Sequence, residues 1–172
     1  MKLLASLNDN NVCGIVHPSK STANRTERIA ARAVALNDRQ AVALINVTSD
    51  GYYKLPGGGV EINEEIVAAL HRECREEIGY DIEVLQEIGQ IEEFRAGWNQ
   101  QQVSHCYLTR IVGVAYPLTL TKKEQRLGQQ VEWWPLERAI ELVEDGQTDK
   151  YVGKYIIVRD AIFLREAQRL LI

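Results

Sequence analysis

Apolar residues along the chain fall mainly into short runs rich in β-branched residues, which predict strands. The longest run is 103–116, VSHCYLTRIVGVAY, which ends at Pro117. Two further runs, 31–36 and 40–47, flank an Asn-Asp-Arg turn and predict a hairpin buried on at least one strand. The segment 83–94 also reads as extended.

Helical periodicity appears in three other segments. Apolar positions recur every three or four residues in 64–78, in the segment from Leu136 to Gly146, and in the tail 155–172. Short strands are predicted at 52–55 and 130–136, before the first two helices. Strands and helices alternating in this way favour an α/β fold with a mixed β-sheet sandwiched between helices.

The length of the chain is that of one domain. Its 172 residues are 45% apolar and 26% charged, with no repeat and no linker-like segment. We therefore expect a single α/β domain over 1–172.

The negative charge is concentrated in one place. The chain has a net charge of −4, and residues 57–80 alone hold six Glu and two Arg. The remainder is balanced, with eighteen acidic and eighteen basic residues. Because nonspecific nucleic-acid binding needs a basic face, this distribution argues against a nucleic-acid partner.

The three cysteines indicate the compartment. Cys13, Cys74 and Cys106 are an odd number without a CxxC pair, so we expect no disulfide framework and a reducing environment. The apolar run at 3–7 is too short for a secretory leader, and no stretch reaches the length of a membrane span. We expect a cytoplasmic protein that does not enter a membrane.

The segment 64–78 predicts an amphipathic helix with an acidic edge. Asn63 is the expected N-cap and Gly79 the expected residue after the helix. The apolar stripe is formed by Ile66, Val67, Leu70, Cys74 and Ile78. At roughly 100° per residue, Glu73, Glu76 and Glu77 lie within an arc of about 100° beside this stripe. Glu73 and Glu77 are nearest the core.

Two explanations fit this acidic edge. Each pair of like charges costs about 0.2–0.5 kcal/mol on a helix, and a solvated face relieved by Arg72 and Arg75 could accommodate that cost. A divalent cation would remove the conflict, because Mg²⁺ and Mn²⁺ take carboxylate oxygens as ligands and keep water molecules. The preceding glycines, 57–59, would let a backbone approach phosphate groups.

The segment resembles the Nudix box, G-x5-E-x7-R-E-U-x-E-E-x-G-U, where U is a bulky apolar residue. The match runs over 58–80, and the seven fixed Gly, Glu and Arg positions are present in register. Cys74 and Tyr80 fill the two apolar positions, which gives Cys74 a packing role. The resemblance implies a Nudix-type α/β/α sandwich.

The same resemblance implies a MutT-like pyrophosphohydrolase, which cleaves a nucleoside diphosphate linked to another group X with Mg²⁺ (or Mn²⁺). The implied metal ligands are Glu73, Glu76, Glu77 and the carbonyl of Gly57. Arg72 would orient the carboxylates and Glu64 would brace the loop before the helix.

The general base stays open between two positions. Some relatives use the residue that matches Glu73, and others use a glutamate from a distant loop. Glu124 and Glu132 are candidates of the second kind here, and Glu92 and Glu93 are further alternatives that a solvated strand end explains equally well.

Substrate contacts are expected from Gly58 and Gly59 and from three residues after the box, Phe94, Arg95 and Trp98, for which loop packing is the alternative. Three arginines, Arg25, Arg28 and Arg32, could reach phosphate groups, but a solvated basic segment is the favoured interpretation. No secondary marker known to us names the nucleotide, and a homodimer stays open.

Three other functions compete with hydrolysis of a small nucleotide. RNA 5′-end pyrophosphohydrolysis is the nearest, a nucleotide-sensing Nudix-like module is the second, and isomerisation of isopentenyl diphosphate is the third. The sequence disfavours the last two because the box glutamates are intact and the isomerase pattern is absent. Replacement of Glu77 by Gln is expected to abolish turnover and to keep or slightly raise stability, since it relieves repulsion.

Overall fold

The sheet combines parallel and antiparallel neighbours. The computed structural model describes residues 1–16 and 25–172. The strands of this part are β1 (Leu3–Asn8), β2 (Thr26–Leu36), β3 (Ala41–Val47), β4 (Tyr52–Lys54), β5 (Asp81–Arg95), β6 (Gln100–Val112) and β7 (Gln129–Pro135). Their order is β1-β5-β6-β2-β3-β4, with β7 also paired to β3. The β1/β5 and β2/β6 pairs are parallel, and the other pairs are antiparallel.

Helices cover both faces of this sheet. Those described are α1 (Asp9–Cys13), α2 (Ile66–Ile78), α3 (Lys122–Arg126), α4 (Leu136–Glu144) and α5 (Tyr151–Leu171), with a 3₁₀ turn at Ala96–Trp98. One core lies between the sheet and α2, and a second lies between the sheet and the pair α4 and α5. The predicted α/β/α sandwich with a mixed sheet is confirmed.

Strand β2 separates these two cores by simple alternation. Ala31, Ala33 and Ala35 face α2, and Val34 and Leu36 face α4 and α5. The alanines let α2 approach the sheet closely, and the larger side chains fill the wider space on the other face.

The loop that contains glycines 57–59, called the glycine loop below, continues the sheet along β2. Strand β3 pairs with β2 only at Leu36 and Val42, so the edge of β2 before that point is free of β3. The loop occupies this edge, because Ala33 donates its N–H to the carbonyl of Pro56 at 3.0 Å and Ala31 donates to that of Gly58 at 3.0 Å. The loop is therefore held by backbone hydrogen bonds.

Several boundaries differ from the sequence prediction. Strand β1 was not predicted, because a short and half-exposed edge strand carries little apolar periodicity. Residues 113–116 leave the long strand. Helix α5 begins at Tyr151, four residues before the predicted start, and Gly153 in its first turn lies closer to Tyr52 and Thr148 than a Cβ atom would allow.

The start of α2 also differs. Asn63 adopts a left-handed backbone with a φ of 63°, so it is not the N-cap, and Glu65 takes that position without a side-chain hydrogen bond. Val67 is 40% exposed and Ala69 is buried instead. The predicted end is confirmed, since Gly79 is left-handed and its N–H donates to the carbonyl of Cys74.

The cysteines are free thiols, and Cys74 and Cys106 are buried. None of the helices in the described residues is long and apolar enough to cross a membrane.

The end of α2 generates a stability prediction. Gly79 and Gly113 have nearly the same φ, 74° and 76°, but a Cβ at Gly79 would lie 2.5 Å from the carbonyl oxygen of Tyr116, whereas a Cβ at Gly113 meets nothing within 4 Å. Gly113→Ala should lower the free energy of unfolding by about 1–2 kcal/mol, the cost of a left-handed non-glycine residue. Gly79→Ala should lower the free energy of unfolding by about 1–3 kcal/mol more than Gly113→Ala does, since its new methyl group is also overpacked against Tyr116.

Urea unfolding of the two variants measures this difference. Equal losses of stability in the two variants would show that the segment around Tyr116 moves away from residue 79 at no cost in free energy.

Candidate active site

Each of the three glycines allows a different close approach. A Cβ at Gly57, whose φ is 129°, would collide with the backbone of Ala31. A Cβ at Gly58 would collide with the carboxylate of Glu73, and one at Gly59 would lie 3.0 Å from the Arg28 guanidinium. Because these three residues have no side chains, the edge of β2, the carboxylate of Glu73 and the guanidinium of Arg28 each come close to the loop backbone.

Glu77 is the most deeply placed acidic side chain of α2. It is 2% exposed, accepts a hydrogen bond from the Lys54 ammonium at 2.6 Å, and accepts another from the N–H of Gly57 at 2.7 Å. Lys54 reaches it because β4 pairs with β3 so that Lys54 lies opposite Ile45, on the face that packs against α2. Burial of this carboxylate is thus balanced by a cation and a backbone donor.

Arg72 forms hydrogen bonds with three further carboxylates of this segment. Its guanidinium donates to Glu64 twice at 2.9 Å, to Glu73 at 2.8 Å, and to Glu76 at 3.4 Å. It also donates to the carbonyl of Gly59 at 3.0 Å. One cation therefore connects the helix to the loop.

The carboxylates of this group differ in proton affinity. Burial raises the pKa of Glu73, and the nearby charge of Glu77 raises it further, although Arg72 acts in the opposite direction. Hydrogen bonds from Arg72 and from the N–H of Glu61 lower the pKa of Glu64 to about 2. Glu73 and Glu64, which both accept from Arg72, therefore lie in different electrostatic environments.

The donor set fits a hard divalent cation. The predicted ligands Glu73 and Glu77 lie beside the loop, whereas the carbonyl of Gly57, the third predicted ligand, is occupied by a hydrogen bond from Arg32. Among residues 1–16 and 25–172, no three His, Cys, Asp or Glu side chains converge as a ready metal cage. Mg²⁺ needs none, because it is commonly held by one or two carboxylates and waters.

The predicted recognition residues lie at the end of β5. Arg95 is 3% exposed and donates to Glu93 at 2.9 Å and to Gln100 at 3.0 Å. The Phe94 ring lies under the Arg25 guanidinium at 5.5 Å. Trp98 is 57% exposed, with its ring 5.9 Å from that of Tyr151.

The two distant candidates for the general base lie in α3 and β7 and not in loops, and both form hydrogen bonds of their own. Glu124 accepts from Thr121 in the capping box of α3. Glu132 lies opposite Leu44, on the face toward α4 and α5, and accepts from Asn46, Tyr53 and Trp134. Glu93 is fully buried, so a solvated strand end is wrong for it.

Lys54 escapes the sequence analysis, and Arg32 has a different environment from the expected one. Lys54 was not singled out, although a lysine between Tyr53 and Leu55 in a strand is unusual enough to be a signal. Arg32 was assigned to a solvated segment, but it is 5% exposed. Its position among buried residues of β2 was the available clue.

The sequence of this chain matches a known protein family. A family model described as NUDIX domain matches residues 26–154, about three quarters of the chain. The chain belongs to the Nudix family. Nudix hydrolase 10 of Arabidopsis thaliana is 38% identical over 63 residues, which are 37% of this chain and 23% of that protein. The chain thus matches about a quarter of the length of this relative.

Solved structures support the Nudix fold. The MutT NUDIX hydrolase from Burkholderia pseudomallei has a TM-score of 0.58 at 19% identity, covering 83% of this chain and 98% of its own. A structure titled UDP-X diphosphatase has a TM-score of 0.57 at 12% identity, covering 95% of this chain and 73% of its own. At these identities the likeness establishes the fold alone.

The Lys54–Glu77 pair generates a second prediction and revises the expectation for Glu77→Gln. Loss of one partner of a buried ion pair costs about 3–5 kcal/mol, because the other charge is left without compensation. Glu77→Gln and Lys54→Met should therefore each lower the free energy of unfolding by about 3–5 kcal/mol. The variant that carries both substitutions should lose much less stability than the sum of the losses in the two single variants.

Denaturant unfolding of the four proteins in this cycle gives the coupling energy. Arg138→Gln is the matched surface control, since its pair with Glu141 is exposed, and it should cost about 1 kcal/mol or less. Additive losses at positions 54 and 77 would contradict the pairing.

Proposed function

We propose that this Nudix protein hydrolyses the diphosphate linkage of a nucleoside diphosphate joined to a group X, with Mg²⁺ or Mn²⁺ as the cofactor. The observation that carries the proposal is the convergence of Glu73 and Glu77 on Gly57 and Gly58. It joins hard oxygen donors to a loop that has no side chains to obstruct a phosphate group.

The chain would supply binding and orientation for this chemistry. When bound, the metal ion would neutralise charge on the diphosphate and activate a water for in-line attack on phosphorus. Glu73, Glu76, Glu77 and the carbonyl of Gly57 would hold it. Arg72 would keep the carboxylates in place, and Glu64 would fix Arg72 and the turn before the helix.

Glu73 is the general base that we favour. Its carboxylate lies against Gly58, in the loop where the phosphate group would approach, so it is close to the place where the attacking water would stand. In the reaction a water oxygen bonds to phosphorus, the anhydride P–O bond breaks, and the water proton passes to Glu73. Glu124 and Glu132 are occupied by the hydrogen bonds described above, so neither is ready for this role.

Recognition of the nucleotide would involve Gly58 and Gly59 with Phe94, Arg95 and Trp98. The exposed ring of Trp98 supports a stacking contact with a base, since a base face tolerates many aromatic neighbours. The relatives are named for different substrates, so the proposal is restricted to a class. We place the reaction in the cytoplasm, supported by the unpaired thiols.

A substrate panel tests the activity. Nucleoside triphosphates, ADP-ribose, diadenosine polyphosphates, sugar nucleotides and triphosphorylated RNA would be incubated with the protein, with and without Mg²⁺, and the products separated by chromatography. Metal-dependent release of a mononucleotide or phosphate is expected. Cleavage of RNA alone would reassign the substrate to an RNA 5′ end, and binding without cleavage would indicate a sensing module.

Variants of α2 test the assignment of the carboxylates. Glu73→Gln and Glu77→Gln should each lower kcat/KM by more than the ~10–100-fold that loss of an outer-shell partner of a metal costs. Glu65→Gln is the matched control, because Glu65 is exposed at the start of the same helix. Folding of each variant would be checked by circular dichroism. Full activity in folded Glu77→Gln would refute its role as a ligand.

A further inference from the structure

The turn that carries Trp98 is held by a buried carboxylate that lies far from it in the sequence. Asp9, the first residue of α1, is 2% exposed. One of its oxygens accepts from the N–H of Gly97 at 3.2 Å, and the other accepts from the hydroxyls of Tyr151 and Tyr155. We call Asp9, Tyr151 and Tyr155 the carboxylate–tyrosine cluster.

The register of β1 places Asp9 at this turn. Strand β1 runs parallel to β5 with Asn8 opposite Phe94, so the next residue lies where β5 ends. Asn8 is also the N-cap of α1, because its side chain accepts from the N–H groups of Asn10 and Asn11. The strand therefore ends in a short helix whose first residue lies against α5.

The two tyrosines contact all three of the residues that are predicted to recognise the nucleotide. The Tyr155 hydroxyl lies 3.0 Å from the carbonyl oxygen of Phe94, and its ring lies 5.4 Å from the Arg95 guanidinium. The ring of Tyr151 lies 5.9 Å from that of Trp98. The segment from Phe94 to Trp98 therefore has one common support.

Gly97 lets the turn lie directly on this support. Its N–H donates both to Asp9 and to the hydroxyl of Tyr151, the latter at 3.1 Å. A Cβ at this position would lie 3.1 Å from a ring carbon of Tyr151, which is closer than an ordinary contact. Trp98 follows at once and is 57% exposed. The turn is thus fixed from below, and its aromatic ring stays open to solvent.

The cluster is anchored in the core of the protein. Tyr155 is 0% exposed and belongs to the core between the sheet and the pair α4 and α5. Burial, followed by the hydrogen bond to Asp9, raises the pKa of Tyr151 to about 12. The same two causes raise the pKa of Tyr155. Both hydroxyls therefore keep their protons and remain donors to the carboxylate.

Two members of the cluster lie outside the family match. Asp9 precedes residues 26–154, which match the family model, and Tyr155 follows them. The support of the turn is therefore built partly from segments that the family match does not cover.

We infer that Asp9, Tyr151 and Tyr155 are positioning residues for nucleotide recognition, which hold the 96–98 turn so that the Trp98 ring is fixed for stacking on a base. The inference rests on the proposed function and adds residues to it. A ring that is fixed before the nucleotide arrives loses less conformational entropy on binding, which raises the affinity. The three residues act through the turn and do not themselves touch the nucleotide.

Tyr151→Phe is the sharpest test, because it removes the hydroxyl and leaves the ring beside Trp98. A mononucleotide should bind about tenfold more weakly, the equivalent of one hydrogen bond to a charged group. KM should rise by a similar factor with kcat unchanged, since only binding is affected. Tyr155→Phe should act in the same direction. Tyr53→Phe is the matched control, because it also removes a hydroxyl bonded to a carboxylate, that of Glu132, and it should bind as the wild type does.

Calorimetric titration with AMP, GMP, CMP and UMP in the presence of Mg²⁺ measures binding without turnover. The nucleotide that binds the wild-type chain most tightly is then used for the variants. Circular dichroism and urea unfolding show whether each variant is folded.

A cycle with Trp98→Ala shows whether Tyr151 acts through the turn. Once the Trp98 ring is absent, loss of the Tyr151 hydroxyl should no longer weaken binding, because the group that it positions is gone. A full tenfold loss in the Trp98→Ala background would overturn the inference, since Tyr151 would then act independently of the turn.

The outcomes separate this inference from the proposed function. Weaker binding by folded Tyr151→Phe, with no hydrolysis by the wild-type chain, would support the cluster and count against the enzyme. Hydrolysis by the wild type, with equal nucleotide affinity in both tyrosine variants, would overturn the cluster and leave the enzyme intact. A lower kcat at unchanged KM, or no binding of any of the four nucleotides to the wild type, would also overturn the inference.

Discussion

The backbone of Gly57 connects Glu77 of α2 with Arg32 of β2, and the rest of the site is arranged around this residue. Its N–H donates to Glu77 on one side, and its carbonyl accepts from Arg32 on the other. The loop lies along the edge of β2, held by backbone hydrogen bonds at Ala31 and Ala33. Backbone hydrogen bonds to β2 thus hold Gly57 between Glu77 of α2 and Arg32 of β2.

Repulsion among like charges explains the cations of the site. Lys54 and Arg72 compensate carboxylates on one side of the loop, and Glu93 and Asp160 compensate guanidinium groups on the other. The buried carboxylates Glu77 and Glu93 are each paired with a cation, so the cost of burying their charge is offset on both faces of the sheet.

Local pattern predicted much of the site. The helical period of 64–78, the glycine after it and the spacing of its glutamates were enough to identify the box and its acidic edge. The start of α2 was missed because Asn63 adopts a left-handed conformation that propensity does not reveal. Strand β1 and the start of α5 were missed because packing against other elements, and not local periodicity, determines them.

The sequence by itself determined the family, the sandwich of helices on a mixed sheet, and the residue types around the glycine loop. These features depend on residues within one helix or one turn, where spacing translates directly into position. Only the tertiary structure decided which cations meet which carboxylates. Lys54 reaches Glu77, and Arg159 reaches Glu93, through the register of strands and the packing of a distant helix. Such pairings involve residues far apart in the chain, and no local period encodes them.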